Sequence, residues 1–339
     1  MNQNTIRVAV VGVGEFGRNH ARVWSEMEGA ELVGVVDSNP ERAAQVAAEF
    51  KTRVIRDPYA LADEKIEAVS LAVPTAEHGP MGCRLLDSGI DVLVEKPMAS
   101  SVREASGLIA SAERAKRILQ VGHLERYNSA VVAARKIVSQ PMFFEVHRLG
   151  VFTPRSLDVD VIYDLMIHDL DILLALMKEP VTEVKAVGIP VLTDKVDIAH
   201  ARLEFAGGAV ANVTASRVST ERVRKMRFFQ QHEYISLDYG RRDALRVGVK
   251  KAGPQPEFGF EKLKAPDAEP LRTELEAFVD AVRTRKEPRT NGAAGRAAME
   301  LASRVMASIQ EHAERVNVLG GRATAGVEAF AAHEKTTTR

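Results

Sequence analysis

The stretch that decides the fold is Val8-Ala9-Val10-Val11-Gly12-Val13-Gly14-Glu15-Phe16-Gly17, in which an apolar run leads directly into three glycines spaced G-x-G-x-x-G. At the end of a strand and the start of a helix, the first glycine permits a tight turn, and the second lets the backbone approach a diphosphate. The third permits close packing of helix on strand, and the helix N-terminus faces the phosphates. Because glycines at this spacing also arise by chance, the surrounding sequence has to supply the context.

That context is an alternation of apolar and helical segments over roughly the first 120 residues. The apolar runs, several of them β-branched, are Ile6–Val11, Leu32–Val36, Ala68–Val73, Val92–Val94 and Ile118–Val121. The helical segments between them are Phe16–Met27, Glu41–Phe50, Glu77–Ser88 and Val102–Arg114. Strands that alternate with helices predict βαβ units and a parallel sheet buried on both faces, which is the doubly wound Rossmann arrangement of an α/β protein.

After about residue 123 the pattern changes to one strongly apolar helix, Val159–Met177, followed by consecutive strand-like runs. These runs are His200–Ala206, Ala209–Ser216, Phe228–Leu237 and Ala244–Lys250. Sequential strands usually neighbour each other, so a mainly antiparallel sheet is expected. Two helical segments follow, Leu271–Arg285 and Gly295–Glu314, with Asn291 as a cap. We therefore expect a Rossmann domain over residues 1–123, an α+β domain over 124–315 and a loosely ordered tail over 316–339.

The composition excludes several classes of protein. The chain has 339 residues, enough for two domains, with the 45% hydrophobic and 27% charged residues of a soluble globular protein. Lys+Arg and Asp+Glu both number 46, so no global field favours nucleic acid or an anionic membrane. Cys83 is the single cysteine, which excludes an intrachain disulfide and a cysteine-based zinc site. With no secretory pattern and no apolar stretch of about 20 residues, a cytoplasmic location is the default expectation.

Asp37 points to the identity of the dinucleotide. It ends the strand that follows the glycine motif, about 20 residues after Gly17. A carboxylate there accepts hydrogen bonds from the adenosine ribose hydroxyls and repels a 2′-phosphate. The next residue is Ser38 rather than an arginine, so the sequence predicts NAD rather than NADP. A role for Asp37 as a strand-end cap stays open.

Glu95-Lys96-Pro97 is the first catalytic candidate, because it directly follows the apolar run Val92–Val94. Ligands of an open parallel sheet bind beyond the carboxyl ends of its strands, so Lys96 is expected near the nicotinamide. An ammonium beside a positively charged ring loses its proton more readily, which makes it usable for proton transfer. The alternative is a solvated lysine at the end of a strand.

The second candidate is the apolar helix, on which Asp164, His168 and Asp171 fall at i, i+4 and i+7 and form a polar stripe. Burying such groups costs several kcal/mol unless they are paired or face a wet cleft. His168 can take the proton of a substrate hydroxyl, while Asp164 binds or orients the substrate. The alternative is that Asp164 and His168 bond each other, with Asp169 and Asp171 solvated. No metal is expected, since hydride transfer to NAD needs none.

Weaker candidates complete the predicted sites. The expected cofactor contacts are Gly12, Gly14, Glu15, Phe16, Gly17, Asp37, Pro74, Thr75, His78, Glu95 and Lys96. The expected substrate contacts, of which the arginines are candidates for an anionic group such as a diphosphate, are His123, Tyr127, Asn128, Arg148 and Arg155.

Together the glycine motif, the Val73-Pro74-Thr75 turn, Glu95-Lys96-Pro97 and Asp164-x-x-x-His168 resemble the Gfo/Idh/MocA oxidoreductase family, up to roughly residue 315. The resemblance implies a Rossmann domain followed by a domain with a large, open, mainly antiparallel sheet that often mediates homo-oligomer contacts. It also implies oxidation or reduction of a carbon of a sugar, cyclitol or sugar nucleotide, with Lys96, Asp164 and His168 as the catalytic set.

Within the family, residues 122–128 and 164–171 are most similar to the branch that oxidises the 3-hydroxyl of UDP-N-acetylglucosamine to a ketone. The expected partner is therefore a small-molecule substrate, a UDP-sugar. Two alternatives stay open at this point. One is the same chemistry on a free sugar or cyclitol such as myo-inositol, and the other is a non-catalytic NAD-binding regulator.

Overall fold

The computed structural model describes residues 5–153, 159–251, 257–264 and 267–316. These residues form two compact units. The first contains the described residues of Met1–Tyr127 and Asp267–Met299, and the second those of Asn128–Pro266 and Glu300–Arg339.

The first unit is built on a six-stranded parallel sheet with the strand order β3-β2-β1-β4-β5-β6. Its strands are β1 (Ile6–Val11), β2 (Ala30–Val36), β3 (Arg53–Val54), β4 (Ala68–Leu71), β5 (Asp91–Glu95) and β6 (Leu119–Gly122). Its α-helices include α1 (Glu15–Glu26), α2 (Pro40–Glu49), α3 (Thr75–Asp87), α4 (Val102–Ala115) and α7 (Pro270–Thr284). The order reverses between β1 and β4, as in dinucleotide-binding doubly wound sheets. The expected Rossmann sheet is confirmed.

The end of the first unit differs from the expected boundary, which assigned residues 124–315 to the second domain. Residues 267–299 group with the first unit instead. In α7, Phe278 packs against Trp24 with ring centroids 6.5 Å apart. The backbone carbonyl of Glu274 also accepts a 3.1 Å hydrogen bond from Gln120 Nε2. The helix is therefore part of the core that covers the sheet.

The second unit contains an eight-stranded sheet with the order β14-β13-β12-β11-β7-β10-β9-β8. Its strands are β7 (Pro141–Leu149), β8 (Val181–Ile189), β9 (Ile198–Phe205), β10 (Val210–Ser216), β11 (Val223–Gln230), β12 (Glu233–Asp238), β13 (Asp243–Lys251) and β14 (Glu257–Lys262). Only the pairing of β7 with β10 is parallel among these strands. The predicted hairpin is β9 and β10, joined through Gly208 at φ +86°. The expected mainly antiparallel sheet is confirmed.

One strand prediction was wrong. Phe228–Leu237 is not a single strand, because a tight turn with His232 at φ +61° divides it between β11 and β12. The helices of the second unit are α5 (Ser129–Arg135), α6 (Ile167–Leu176) and the end of α8 (Gly292–Val316). Alternating residues of β9, namely Ala199, Ala201 and Leu203, are buried in the core between the sheet and the helices.

The predicted tail lies outside the described residues beyond Val316. Across the described ranges, the helices lack either the length or the apolar character that a membrane crossing needs.

Candidate functional site

The glycine motif forms the turn between β1 and α1, and two of its glycines are required by the space around them. Gly12 has φ +83°, and a Cβ there would lie 2.5 Å from the carbonyl oxygen of Ala72. A Cβ on Gly17 would lie 1.8 Å from the carbonyl oxygen of Gly12. The turn and the close helix–strand packing expected from the motif are therefore both present.

Gly14 leaves the N-terminus of α1 open. It is the N-cap residue, and no described side chain caps the helix there. A Cβ on Gly14 would have one described atom within 4 Å, Arg42 Nη1 at 3.9 Å. The first N–H groups of a helix lack partners within the helix and attract anions. Glu15 and Phe16 follow in the first turn as exposed side chains. The loop accordingly fits the diphosphate of a dinucleotide.

The Asp37 carboxylate is fastened to this loop. Its Oδ2 accepts the backbone N–H of Val13 and its Oδ1 that of Asn39, both at 2.8 Å. The half-exposed guanidinium of Arg42 lies 3.7 Å from Oδ2. A carboxylate has about four acceptor positions, so these bonds leave room for ribose hydroxyls. Asp37 therefore combines the capping role that stayed open with a geometry that suits NAD.

His78 supports the neighbouring loops. Its side chain is buried, with Nδ1 2.8 Å from the carbonyl oxygen of Pro97 and Nε2 2.9 Å from that of Val73. Burial lowers the pKa of His78, although both carbonyls raise it. Both ring nitrogens lie against backbone carbonyls, and a direct contact of His78 with the cofactor stays a prediction. His78 joins the loop that contains Pro74 and Thr75 to the loop after β5.

Glu95 and Lys96 end β5 and begin the loop after it. The Glu95 carboxylate is buried and faces inward, with Oε1 3.0 Å from His20 Nε2. Lys96 is half-buried, and its backbone N–H donates to Glu95 Oε2 at 3.3 Å. Both carboxylate oxygens of Glu95 thus have partners within the protein, and its direct contact with the cofactor stays a prediction. Lys96 follows the carboxyl end of β5, which neighbours β4 in the sheet. The strand order reverses between β1 and β4, and sheets of this kind bind ligands at the carboxyl ends of the strands beside such a reversal.

In the second unit, Asp164 lies in a π-helical turn, Ile162–Met166, which runs directly into α6. His168 lies in the first turn of α6. Both side chains are half-buried, whereas Asp169 and Asp171 are buried, which corrects the alternative in which those two are solvated. The predicted stripe is therefore divided by depth. A π turn inside a helix is costly and is found frequently at functional sites.

A buried carboxylate, Asp197, holds the loop between β8 and β9. It accepts the N–H groups of Val191, Leu192 and Thr193 at 2.8, 2.7 and 2.9 Å. Burial alone would raise the pKa of Asp197, but the Thr193 hydroxyl and these three N–H groups outweigh it and lower the pKa. Arg217 Nε lies 3.7 Å from Asp197, and its Nη2 donates to the carbonyl of Val159.

Arg148 forms a buried ion pair with Asp169. Its Nε and Nη2 donate to the two carboxylate oxygens of Asp169 at 2.6 and 3.0 Å, and both residues are at most 2% exposed. The guanidinium also lies 5.1 Å from the centroid of the Tyr239 ring. Arg148 thus ties α6 to β7, and its contact with a diphosphate stays a prediction. Arg155, the other expected contact, lies outside the described residues.

The three remaining substrate candidates are buried by the fold. Asn128 caps α5, where its Oδ1 accepts the Ala130 N–H at 3.1 Å, and its Nδ2 donates to the Tyr239 carbonyl. Burial raises the pKa of Tyr127 to about 12, so its phenol stays protonated. His123 is 2% exposed. All three side chains are buried, and their contact with a substrate stays a prediction.

His20 is the residue of this region that sequence reasoning missed. It is fully buried and joins Glu95 to Ser70, although it belongs to the helix of the glycine motif. The available signal was a polar residue on the apolar face of α1, three positions after Gly17. Within the described residues, no three His, Cys, Asp or Glu side chains form a group that could hold a metal ion.

Two family models match the chain. The model of the oxidoreductase family with an NAD-binding Rossmann fold matches residues 6–123. The model of the GFO/IDH/MocA C-terminal domain matches residues 113–233.

Several known proteins are similar along much of their length. The UDP-N-acetylglucosamine 3-dehydrogenase of Acidithiobacillus ferrooxidans is 37% identical over 91% of this chain and 99% of its own. A solved structure of that enzyme superposes with a TM-score of 0.85 over 91% of this chain and 98% of its own, at 36% identity. The scyllo-inositol 2-dehydrogenase (NAD(+)) of Bacillus subtilis is 30% identical over 64% of this chain and 69% of its own. Levoglucosan dehydrogenase in complex with NADH and levoglucosan shares the fold, with a TM-score of 0.83 over 91% of this chain and 98% of its own, at 18% identity.

Proposed function

Because the chain belongs to the Gfo/Idh/MocA family of NAD-binding oxidoreductases, we propose that it oxidises the 3-hydroxyl of UDP-N-acetylglucosamine to the 3-keto sugar. The observation that carries the chemistry is one edge of the parallel sheet, where the ends of β1, β2 and β5 are followed by the glycine loop, Asp37 and Lys96. The substrate is proposed from the relative that is 37% identical along 99% of its length.

The proposed reaction breaks two bonds of the sugar. Bound NAD would supply the hydride acceptor for the carbinol carbon. The hydroxyl proton would pass to the imidazole of His168, while Asp164 orients the substrate or His168, and Lys96 is proposed as a second proton-transfer group. The carbon–oxygen double bond forms as the proton and the hydride leave.

The catalytic roles are tested by Lys96→Ala and His168→Ala. We expect each to lower kcat by about 100-fold or more, because a positioned proton-transfer group contributes that much to a rate. NAD reduction at 340 nm with UDP-N-acetylglucosamine measures the effect (340 nm being roughly the absorbance maximum of NADH). Lys185→Ala is the matched control, since Lys185 is an exposed lysine of β8. Near wild-type turnover in either catalytic variant would show that this mechanism is wrong.

A free polyol is the second candidate substrate. Its support is the ion pair of Arg148 with Asp169, which occupies two nitrogens of one of the two arginines expected to bind a diphosphate. A panel of UDP-sugars and free polyols, including myo-inositol, separates the candidates by kcat/KM. Preference for a free polyol would replace the UDP-sugar proposal. Binding of NAD without turnover of any panel member would favour a non-catalytic regulator.

We also propose that the chain forms a homo-oligomer through the sheet of the second unit. The support is its edge strand β14, where Phe258 and Phe260 are 60% and 73% exposed. Residues two apart in a strand share a face, and large exposed apolar side chains on one face mark contact surfaces. Light scattering should give a multiple of 37.1 kDa, and Phe258→Ser with Phe260→Ser should reduce it. A monomeric wild type would exclude the proposal.

A further inference from the structure

A chain of buried hydrogen bonds connects α1 with the end of β5. His20 and Ser70 are both fully buried. His20 Nδ1 lies 3.0 Å from Ser70 Oγ, and its Nε2 lies 3.0 Å from Glu95 Oε1. The indole Nε1 of Trp24, one turn further along α1, donates to the same Ser70 hydroxyl at 2.9 Å. Trp24, Ser70, His20 and Glu95 therefore form a continuous relay.

The chemistry of its ends gives this relay a direction. An ionised carboxylate only accepts, so His20 Nε2 carries a proton and donates it to Glu95. An indole N–H only donates, so Ser70 Oγ accepts from Trp24 and can direct its own proton to the free Nδ1 of a neutral imidazole. Each bond is then polarised in the same sense, which strengthens the next one.

The relay ends on the backbone from which Lys96 extends. The second oxygen of the Glu95 carboxylate accepts the Lys96 N–H at 3.3 Å. The carboxylate also needs the space left by Gly122, where a Cβ would lie 2.5 Å from Glu95 Oε1. The position of the Glu95 carboxylate thus depends on the bond to His20 and on the absence of a side chain at Gly122.

We propose that His20 is a positioning residue for the reaction: it holds Glu95, and through Glu95 the backbone of Lys96, in register with the helix that begins at the glycine loop. The inference rests on the proposed catalytic role of Lys96. A catalytic group that is displaced by about 1 Å can lose 100-fold in rate while the fold is kept. Loss of the bond between His20 and Glu95 should therefore lower kcat, while the melting temperature and the Kd for the cofactor change little.

Two isosteric substitutions separate the two ends of the imidazole. In His20→Gln the amide nitrogen reaches the place of Nε2 and can still donate to Glu95. In His20→Asn the amide reaches only the place of Nδ1, so it keeps the contact with Ser70 and loses Glu95. We expect kcat to fall about 10- to 100-fold in His20→Asn and to stay close to wild type in His20→Gln. The melting temperatures of the two variants should be similar, because each loses one of two buried hydrogen bonds.

Two further measurements need no turnover. NADH fluorescence should give a similar Kd for both variants and the wild type, because the four residues of the relay do not contact the N-terminus of α1 at Gly14. Nitrogen-15 NMR of the histidine rings should show a buried ring with its proton on Nε2 that is missing from both variants. A His20 ring protonated on Nδ1 alone would overturn the relay.

Equal kcat values in His20→Asn and His20→Gln would overturn the positioning role. So would a fall in kcat that is matched in each variant by a proportionate fall in melting temperature. Lys96→Ala, measured in the same assay, keeps the two proposals apart. If Lys96→Ala retains turnover, the proposed function fails. If it abolishes turnover while His20→Asn matches the wild type, this inference fails and the proposed function stands.

Discussion

At Asp37 a single carboxylate performs two tasks. It accepts the N–H of Val13, which fixes the glycine loop, and it is proposed to present negative charge to the adenosine ribose of a dinucleotide. Arg42 Nη1 lies 3.7 Å away with a half-exposed side chain. The preference for NAD over NADP should therefore depend on Asp37, whose negative charge neutralises the nearby Arg42 guanidinium and repels a 2′-phosphate.

Asp37→Ser removes the carboxylate charge beside Arg42. We expect the ratio of kcat/KM for NADP to that for NAD to rise about tenfold or more, because a 2′-phosphate is no longer repelled and meets Arg42. Steady-state kinetics with both cofactors measure the ratio. In Asp37→Ser with Arg42→Ala the gain for NADP should disappear. A ratio that stays at the wild-type value in Asp37→Ser would show that Asp37 acts only as a cap.

Residues with a local signal were predictable at this scale, and residues with distant partners were not. Gly12, Gly17 and Asp37 act through backbone within a few residues or through one neighbouring strand, so their spacing carries the information. Arg148 binds Asp169, which belongs to a helix that the sequence separates from β7. Nothing in the local sequence tells a paired, buried arginine from an exposed one.

Among the elements, α6 depends on charges that pack beneath it. The ion pair of Arg148 with Asp169 is bidentate and buried, and Asp169 directly follows His168. Removal of one partner leaves an uncompensated buried charge, which costs about 3–5 kcal/mol, whereas an apolar pair of similar volume is often neutral. The pair therefore allows a test of whether Arg148 supports the helix or binds substrate.

We expect Arg148→Met and Asp169→Leu each to lower the free energy of unfolding by about 3–5 kcal/mol, and the double variant to lose much less than the sum. Urea unfolding of the four proteins gives the coupling energy. In the double variant, KM for UDP-N-acetylglucosamine should stay close to that of wild type. A large rise in KM with recovered stability would return Arg148 to the substrate site.

Asp197 makes the stability of the loop between β8 and β9 dependent on pH. Its pKa in the folded protein is lowered from 3.8, so its contribution is fully present above that unfolded value and is lost as the pH falls through the folded value. We expect Asp197→Asn to cost about 3 kcal/mol at pH 7, because it leaves Arg217 without its buried carboxylate. The difference from wild type should shrink below about pH 4.

Urea midpoints of both proteins between about pH 3 and pH 7 measure this dependence. Asp194→Asn is the matched control, since Asp194 is an exposed carboxylate of the same loop and should have little effect at any pH. A stability difference that stays constant down to pH 3 would mean that Asp197 does not act through its charge.

The mispredicted strand Phe228–Leu237 shows where periodicity fails for elements. The turn that divides it uses Gln231 and His232, and His232 takes the left-handed backbone conformation at φ +61°. Glycine or asparagine usually marks such a turn, and neither is present. The turn forms because the pairing of β11 with β12 stabilises it, which is a tertiary effect that the local sequence does not record.

For the whole molecule, the main difference from expectation is that the first unit is discontinuous in sequence. The chain leaves it after Tyr127 and returns at Asp267 to add α7. The apolar face of α7 matches its helical periodicity and was predicted as a helix, but periodicity does not say which sheet a helix covers. In the first unit, Phe278 of α7 packs against Trp24 of α1, and α7 also contacts the turn Leu124–Tyr127.

This arrangement predicts that residues 1–123 are not an independent domain. A fragment that ends there lacks Leu275 and Phe278, so Trp24 loses part of its cover, and we expect no cooperative unfolding transition. Trp24 is the single tryptophan, so its fluorescence reports on this core directly. Joining residues 1–127 to residues 267–299 through a glycine–serine linker should restore both a blue-shifted emission and a cooperative transition. In the full chain, Phe278→Ala should cost about 3–5 kcal/mol by leaving a cavity against the indole. Cooperative unfolding of the fragment 1–123 with native tryptophan emission would mean that its core forms without α7.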